Sequence, residues 1–122
     1  MKYLRSLVVS IALLAVLGSA ACHKAVATAP VPGAVNSFDS TMYRALMDAQ
    51  AAINSFKTDV AGGKLTLSVT GKAVLNQVIT DYDAANALWQ SYHASGGTNP
   101  QAPVQNAITT LQTDVSKLAT TN

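Results

Sequence analysis

The sequence predicts an all-α protein: an antiparallel, up-down-up three-helix bundle behind a cleaved signal peptide and a flexible tether. Three observations carry that expectation. Apolar residues recur at steps of three and four in three separate runs, which is the period of a helix face. Glycine pairs and a proline-rich turn separate those runs. Strand-like alternation occurs only in the short stretch "KLTLSV", which finds no second strand to pair with.

The chain opens with a basic n-region, Lys2 and Arg5, followed by the apolar run "LVVSIALLAVL" from Leu7 to Leu17 and then by the small residues Gly18, Ser19, Ala20 and Ala21. This three-part order is that of a secretory signal. The apolar and small segment, residues 7–21, is shorter than the roughly 20 residues a helix needs to cross a bilayer. Immediately after it stands Cys22, the only cysteine in the chain. "GSAAC" resembles the lipobox of bacterial lipoprotein precursors, with Ala21 and Ala20 at the two positions before the cut and Ser19 where leucine is commonest. The resemblance implies cleavage before Cys22, a diacylglycerol on its thiol and a usually acylated amine. Two or more acyl chains hold a protein stably on a membrane where one is only marginal. A lone thiol in an oxidising compartment would otherwise be awkward. By analogy with lipoprotein sorting, His23 in place of the aspartate that retains such proteins at the inner membrane favours the outer membrane, facing the periplasm.

Residues 22–35 form the lipidated cysteine and the tether. The stretch "HKAVATAPVPGAV" is small, proline-punctuated and aperiodic, and reaches about 40 Å when extended. The folded domain is expected over residues 36–122. Its first helix, about 37–61, has Asn36 or Ser37 as N-cap and Asp39 in the first turn, where a negative charge suits the helix dipole. Phe38, Met42, Leu46, Ala49, Ile53, Phe56 and Val60 make its apolar face, and Gly62 and Gly63 end it. The second helix, about 68–95, starts near Ser68 or Thr70. It presents Leu75, Val78, Tyr82, Ala85, Trp89 and Tyr92, with Val74, Ile79 and Leu88 widening the stripe, and Gly96 and Gly97 stop it. The third, about 103–119, is expected to begin at Pro103, because a proline disfavours helical angles at the residue before it. Val104, Ile108, Leu111, Val115 and Leu118 form its stripe, and Lys117 lies in its last turn.

Composition narrows the function. Cleavage would remove Lys2 and Arg5, so the formal charge of +2 becomes about zero, with six basic against six acidic residues. No basic patch is left for nucleic acid. The chain contains no Glu, so its helices lack the usual Glu–Lys surface pairs. "AGGKLT" carries Leu65 where a phosphate-binding loop needs Ser or Thr, and "TGKA" fails likewise. Asp81 and Asp83 lie two apart on a helix, roughly 200° around its axis, and cannot share one ion; both are read as solvated acids beside a buried Tyr82. Two histidines, His23 and His93, do not make a metal site, which takes three or four ligands. His93 suits the last turn of a helix as a partial positive charge, and Ser91 beside it does not face it. With no nucleophile, base and orienter together, no enzyme and no cofactor are expected.

The candidate contact residues are aromatic: Tyr82, Trp89 and Tyr92 on one face of the second helix, with Tyr43 just off the stripe of the first. Such a ridge is either core or a partner surface. The reading is a lipid-anchored envelope protein acting as a non-catalytic structural or interaction module, with a membrane and an envelope protein as partners. The alternatives are a small-molecule or lipid carrier with a cavity between the helices, and an exclusion or immunity lipoprotein of a mobile element. Because the three stripes suffice for one another, residues 36–122 are expected to fold alone into a helical domain. Circular dichroism showing mainly coil at micromolar concentration would contradict this.

Overall fold

The structure, a computed structural model, describes residues 30–121; the expected signal segment, Cys22 and the first part of the tether lie outside the described residues. It contains three helices and no strand among those residues: α1 (Ser37–Ala61), α2 (Val69–Ala94) and α3 (Gln101–Thr120). At 1.5 Å per residue they run about 37, 39 and 30 Å. None is long and apolar enough to cross a membrane.

The direction of each helix follows from which residues meet. Phe38 at the start of α1 packs edge-on against Tyr92 near the end of α2, with ring centroids 5.1 Å apart, and Tyr43 meets Trp89 at 5.3 Å. Ascending numbers in α1 thus face descending numbers in α2. Gln101 at the start of α3 reaches the Tyr92 hydroxyl, so α3 runs back along α2. The result is the up-down-up bundle, with α2 and α3 its most extensively packed pair.

The core takes Leu46 and Ile53 from α1, Val78 and Tyr92 from α2, and Val104, Ile108, Leu111, Val115 and Leu118 from α3. Ala45, Ala49 and Ala85 are buried with them, and such small side chains let the backbones approach closely. Phe38, Met42, Phe56, Leu75, Ile79, Tyr82 and Trp89 pack around this centre while remaining partly exposed. Leu88 does not join it: it stays 39% exposed, on the outer edge of the stripe that the sequence assigns to α2.

Helix ends differ from expectation in one place. Asn36 caps α1 by accepting from the Asp39 N–H, and Ser68 caps α2 by accepting from Gly71. α3, however, starts at Gln101 rather than Pro103, with Pro100 preceding it and no side-chain cap. Pro103 is accommodated in the first turn because the N–H it lacks has no intrahelical acceptor there. Ala102 is helical despite the proline that follows it.

Asp81 is a second correction. It is half-buried rather than solvated, accepting from Gln77 Nε2 at 2.8 Å, while its Oδ2 is buried with no donor against it. It faces Asp114 on α3. Burial raises the Asp81 carboxyl above its ordinary value, and the adjoining Asp114 raises it further. Asp114 goes the other way, held low by the Lys117 ammonium, whose Nζ lies 2.6 Å from its Oδ1. The two carboxyl groups can hydrogen-bond each other only while one is protonated. Linkage then fixes the signs. Asp81, raised on folding, stabilises the bundle below the ordinary carboxylate range, and this contribution is lost as pH rises through its raised value. Asp114, depressed on folding, stabilises above that range and is lost as pH falls through its lowered value. At pH 7 the Asp81 charge therefore opposes folding. Asp81→Asn, which supplies a permanent donor toward Asp114, is expected to raise the melting temperature by a few degrees at pH 7 and by less near pH 4, where more of the Asp81 carboxyl is protonated. An equal effect at both pH values, or destabilisation at pH 7, would contradict the carboxyl-pair assignment.

Candidate functional site

The N-terminal end of α1 and the C-terminal end of α2 come together around Asp39. This residue occupies the third position of α1, and its side chain is 1% exposed. Its Oδ2 accepts from the Val35 N–H at 2.9 Å and lies 2.8 Å from His93 Nδ1. Its Oδ1 is buried without a hydrogen bond, and its backbone carbonyl lies 3.4 Å from Trp89 Nε1. Neighbouring Ser40 is buried too and accepts from the Val31 N–H at 2.8 Å. Two consecutive helix residues thus hold two backbone donors of the segment before the helix.

That segment corrects the expected tether. Residues 31–34 form a turn closed by the Ala34 N–H on the Val31 carbonyl at 3.0 Å, with Gly33 at φ +86°. The part of the tether from Val31 to Val35 is accordingly a strap laid on the bundle. Composition could not reveal this, because the acceptors that hold it belong to the helix.

Beneath the strap lies a half-open cavity of about 230 Å³, walled by Val31, Pro32, Gly33 and Ala34 on one side and by Asp39, Tyr43, Trp89 and His93 on the other. Tyr43, Trp89 and His93 form a row of tilted rings, Trp89 and His93 lying 5.4 Å apart. The side chain of His93 is 40% exposed.

The aromatic ridge read from the sequence therefore divides. Trp89 and Tyr43 line the strap cavity. Tyr92 is buried behind it, its hydroxyl accepting from Asn36 Nδ2 at 2.9 Å and from Gln101 Nε2 at 3.2 Å. Tyr82 lies two turns away, half-buried, beside a second cavity of about 180 Å³ with Ile53, Lys57, Ile79 and Asp83. Burial, with the nearby Asp83 charge, pushes its phenol up from the ordinary value. Cys22 lies outside the described residues. No group of three or more His, Cys, Asp or Glu positioned for a metal occurs among the described residues.

Sequence reasoning missed Asp39 and His93 as a pair. It assigned each to its own helix dipole, although the antiparallel order it predicted brings the start of α1 to the end of α2. Gly97 was also read only as a helix stop. At φ +79° it sits where a β-carbon would lie 2.6 Å from Asn36 Nδ2 and 3.2 Å from the Tyr92 hydroxyl. The turn between α2 and α3 is packed against the cap of α1.

The strap is expected to contribute to stability through Asp39. A chain starting at Asn36 loses the Val35 N–H and leaves a buried carboxylate with one donor fewer, which costs about 1–3 kcal/mol. Its melting temperature should fall by roughly 4–8 °C per kcal/mol lost for a domain of this size relative to a chain starting at Pro30, with helix content kept. Equal melting temperatures would show the strap to be energetically idle.

Comparison with protein-family models, curated proteins and solved structures gives no significant match to the chain, so the role of the site rests on its own chemistry.

Proposed function

We propose that this chain is a lipid-anchored protein of the bacterial envelope, attached through Cys22 and acting by contact with another envelope protein rather than by catalysis. The observation that carries the reading is the order of the first 22 residues: a basic start, an apolar run too short to span, small residues and then the single cysteine. The strap supports it by adding short reach. Val31 is the ninth residue after Cys22, about 30 Å away when the chain is fully extended, so an acylated Cys22 would hold the bundle close to the bilayer. By analogy with lipoprotein sorting, His23 after the cysteine favours the outer membrane, on the periplasmic side.

The contact role draws on the surface. Met47 and Leu88, 37% and 39% exposed, lie on the helices that carry the Tyr43 and Trp89 rings, and aromatic residues with a polar edge are frequent in contact surfaces. A lipid carrier would need room between the helices, where Ala45, Ala49 and Ala85 instead bring the backbones together.

The test is Cys22→Ser. In cells fed labelled palmitate, the wild-type chain should take up label and sediment with membranes. The variant should take up none and appear soluble or unprocessed. Equal membrane recovery of the two would overturn the assignment, and crosslinking of the wild type in intact cells identifies the partner.

A further inference from the structure

The cavity under the strap brings together an acidic residue and two aromatic rings. Asp39 lines its floor, its side chain 1% exposed and its Oδ1 without a hydrogen bond. Its walls carry the rings of Tyr43 and Trp89. Among the described residues, no lysine or arginine lines it. His93 Nδ1 lies 2.8 Å from Asp39 Oδ2, which leaves Oδ1 without a hydrogen bond.

We propose that this cavity binds a small organic cation of the trimethylammonium type, with its charge facing Asp39 and its methyl groups against Tyr43 and Trp89. Aromatic faces attract a cation through their quadrupole, and the attraction is largest for poorly hydrated cations such as quaternary ammonium ions. A carboxylate in a partly desolvated site acts on such a charge across space, without needing a donor hydrogen. An anion is excluded by the same carboxylate. A bare metal ion finds one carboxylate where it needs several ligands, amid walls that are largely carbon. Size also selects: pockets for drug-sized ligands begin at roughly 300 Å³, so about 230 Å³ admits a group of only a few carbons. Such a group belongs either to a free solute such as choline or to a choline lipid headgroup, and the chemistry is common to both. Since the strap forms one wall, the occupied site is expected to hold residues 31–34 more firmly. The proposal does not depend on the lipid at Cys22.

Trp89 is the only tryptophan in the chain, so its emission reports the site directly. Full-length protein in maltoside micelles is titrated with choline chloride, with sodium chloride at matched ionic strength, and with 3,3-dimethylbutan-1-ol, the uncharged isostere of choline. The expected result is a saturable change in Trp89 emission with choline, at least tenfold weaker with the isostere and absent with sodium chloride. Asp39→Asn should weaken choline binding at least tenfold, and Tyr43→Leu several-fold with unchanged circular dichroism. If Asp39→Asn unfolds the bundle, the isostere comparison and Tyr43→Leu still decide. An equal response to choline and its isostere, no saturable response to choline, or unaltered binding in folded Tyr43→Leu would each overturn the proposal. Titration with monomeric dihexanoyl phosphatidylcholine then distinguishes the sources: tighter binding than choline assigns the lipid headgroup, and equal or weaker binding assigns the free solute.

Discussion

The hydroxyl of Tyr92 is the point on which one end of the bundle depends. It is carried by α2 and accepts from Asn36 Nδ2, which caps α1, and from Gln101 Nε2, which opens α3. One buried oxygen thereby fixes the relative height of all three helices. The ring below it packs against Phe38, and the residue after it, His93, reaches Asp39. A buried hydroxyl left without partners costs more than a made hydrogen bond contributes, so these contacts stand or fall together.

The opposite end is organised differently. There α1 closes with the Gly62 N–H on the Thr58 carbonyl and Gly63 at φ +68°, and α2 opens on the local cap of Ser68. The ion pair Lys64–Asp59 is exposed at 3.7 Å, a geometry that contributes little. The hydrogen bonds that join α1 to α2 over fifty or more positions, Asn36–Tyr92, Asp39–Trp89 and Asp39–His93, all lie at the Tyr92 end. Elsewhere α1 is held to the bundle largely by side-chain packing, which specifies a separation but tolerates sliding more readily than paired polar atoms do.

This division also explains what could be read in advance. The helices were legible because their stripes are local patterns: the step of three or four, the Asn36 and Ser68 caps, the glycines at 62–63 and 96–97. The bundle followed from the number of stripes and the short connections. What escaped was the part that exists only after α1 and α2 meet. Asp39 looks like an ordinary first-turn acid and His93 like an ordinary last-turn base, and neither reveals from its neighbours that it will be paired. The strap was hidden for the same reason, its composition being that of a linker while its acceptors sit on Asp39 and Ser40. Gln112, buried on α3 with Oε1 unpaired, lies at the edge of the apolar stripe, four residues after Ile108 and three before Val115, where its polar side chain hides it from a reading by hydrophobicity.

The strap has a mechanical meaning. Any load applied to the chain ahead of residue 30 enters the bundle through the Val31 and Val35 amides, and so through Ser40 and Asp39. Those residues sit in the first turn of α1, next to the cap that is tied to Tyr92. The force is therefore delivered to the most cross-linked end of the domain and shared between two helices at once. Had the chain entered at the Gly62–Gly63 end, the same pull would meet only local caps and an exposed ion pair. The domain is loaded where it is least able to peel.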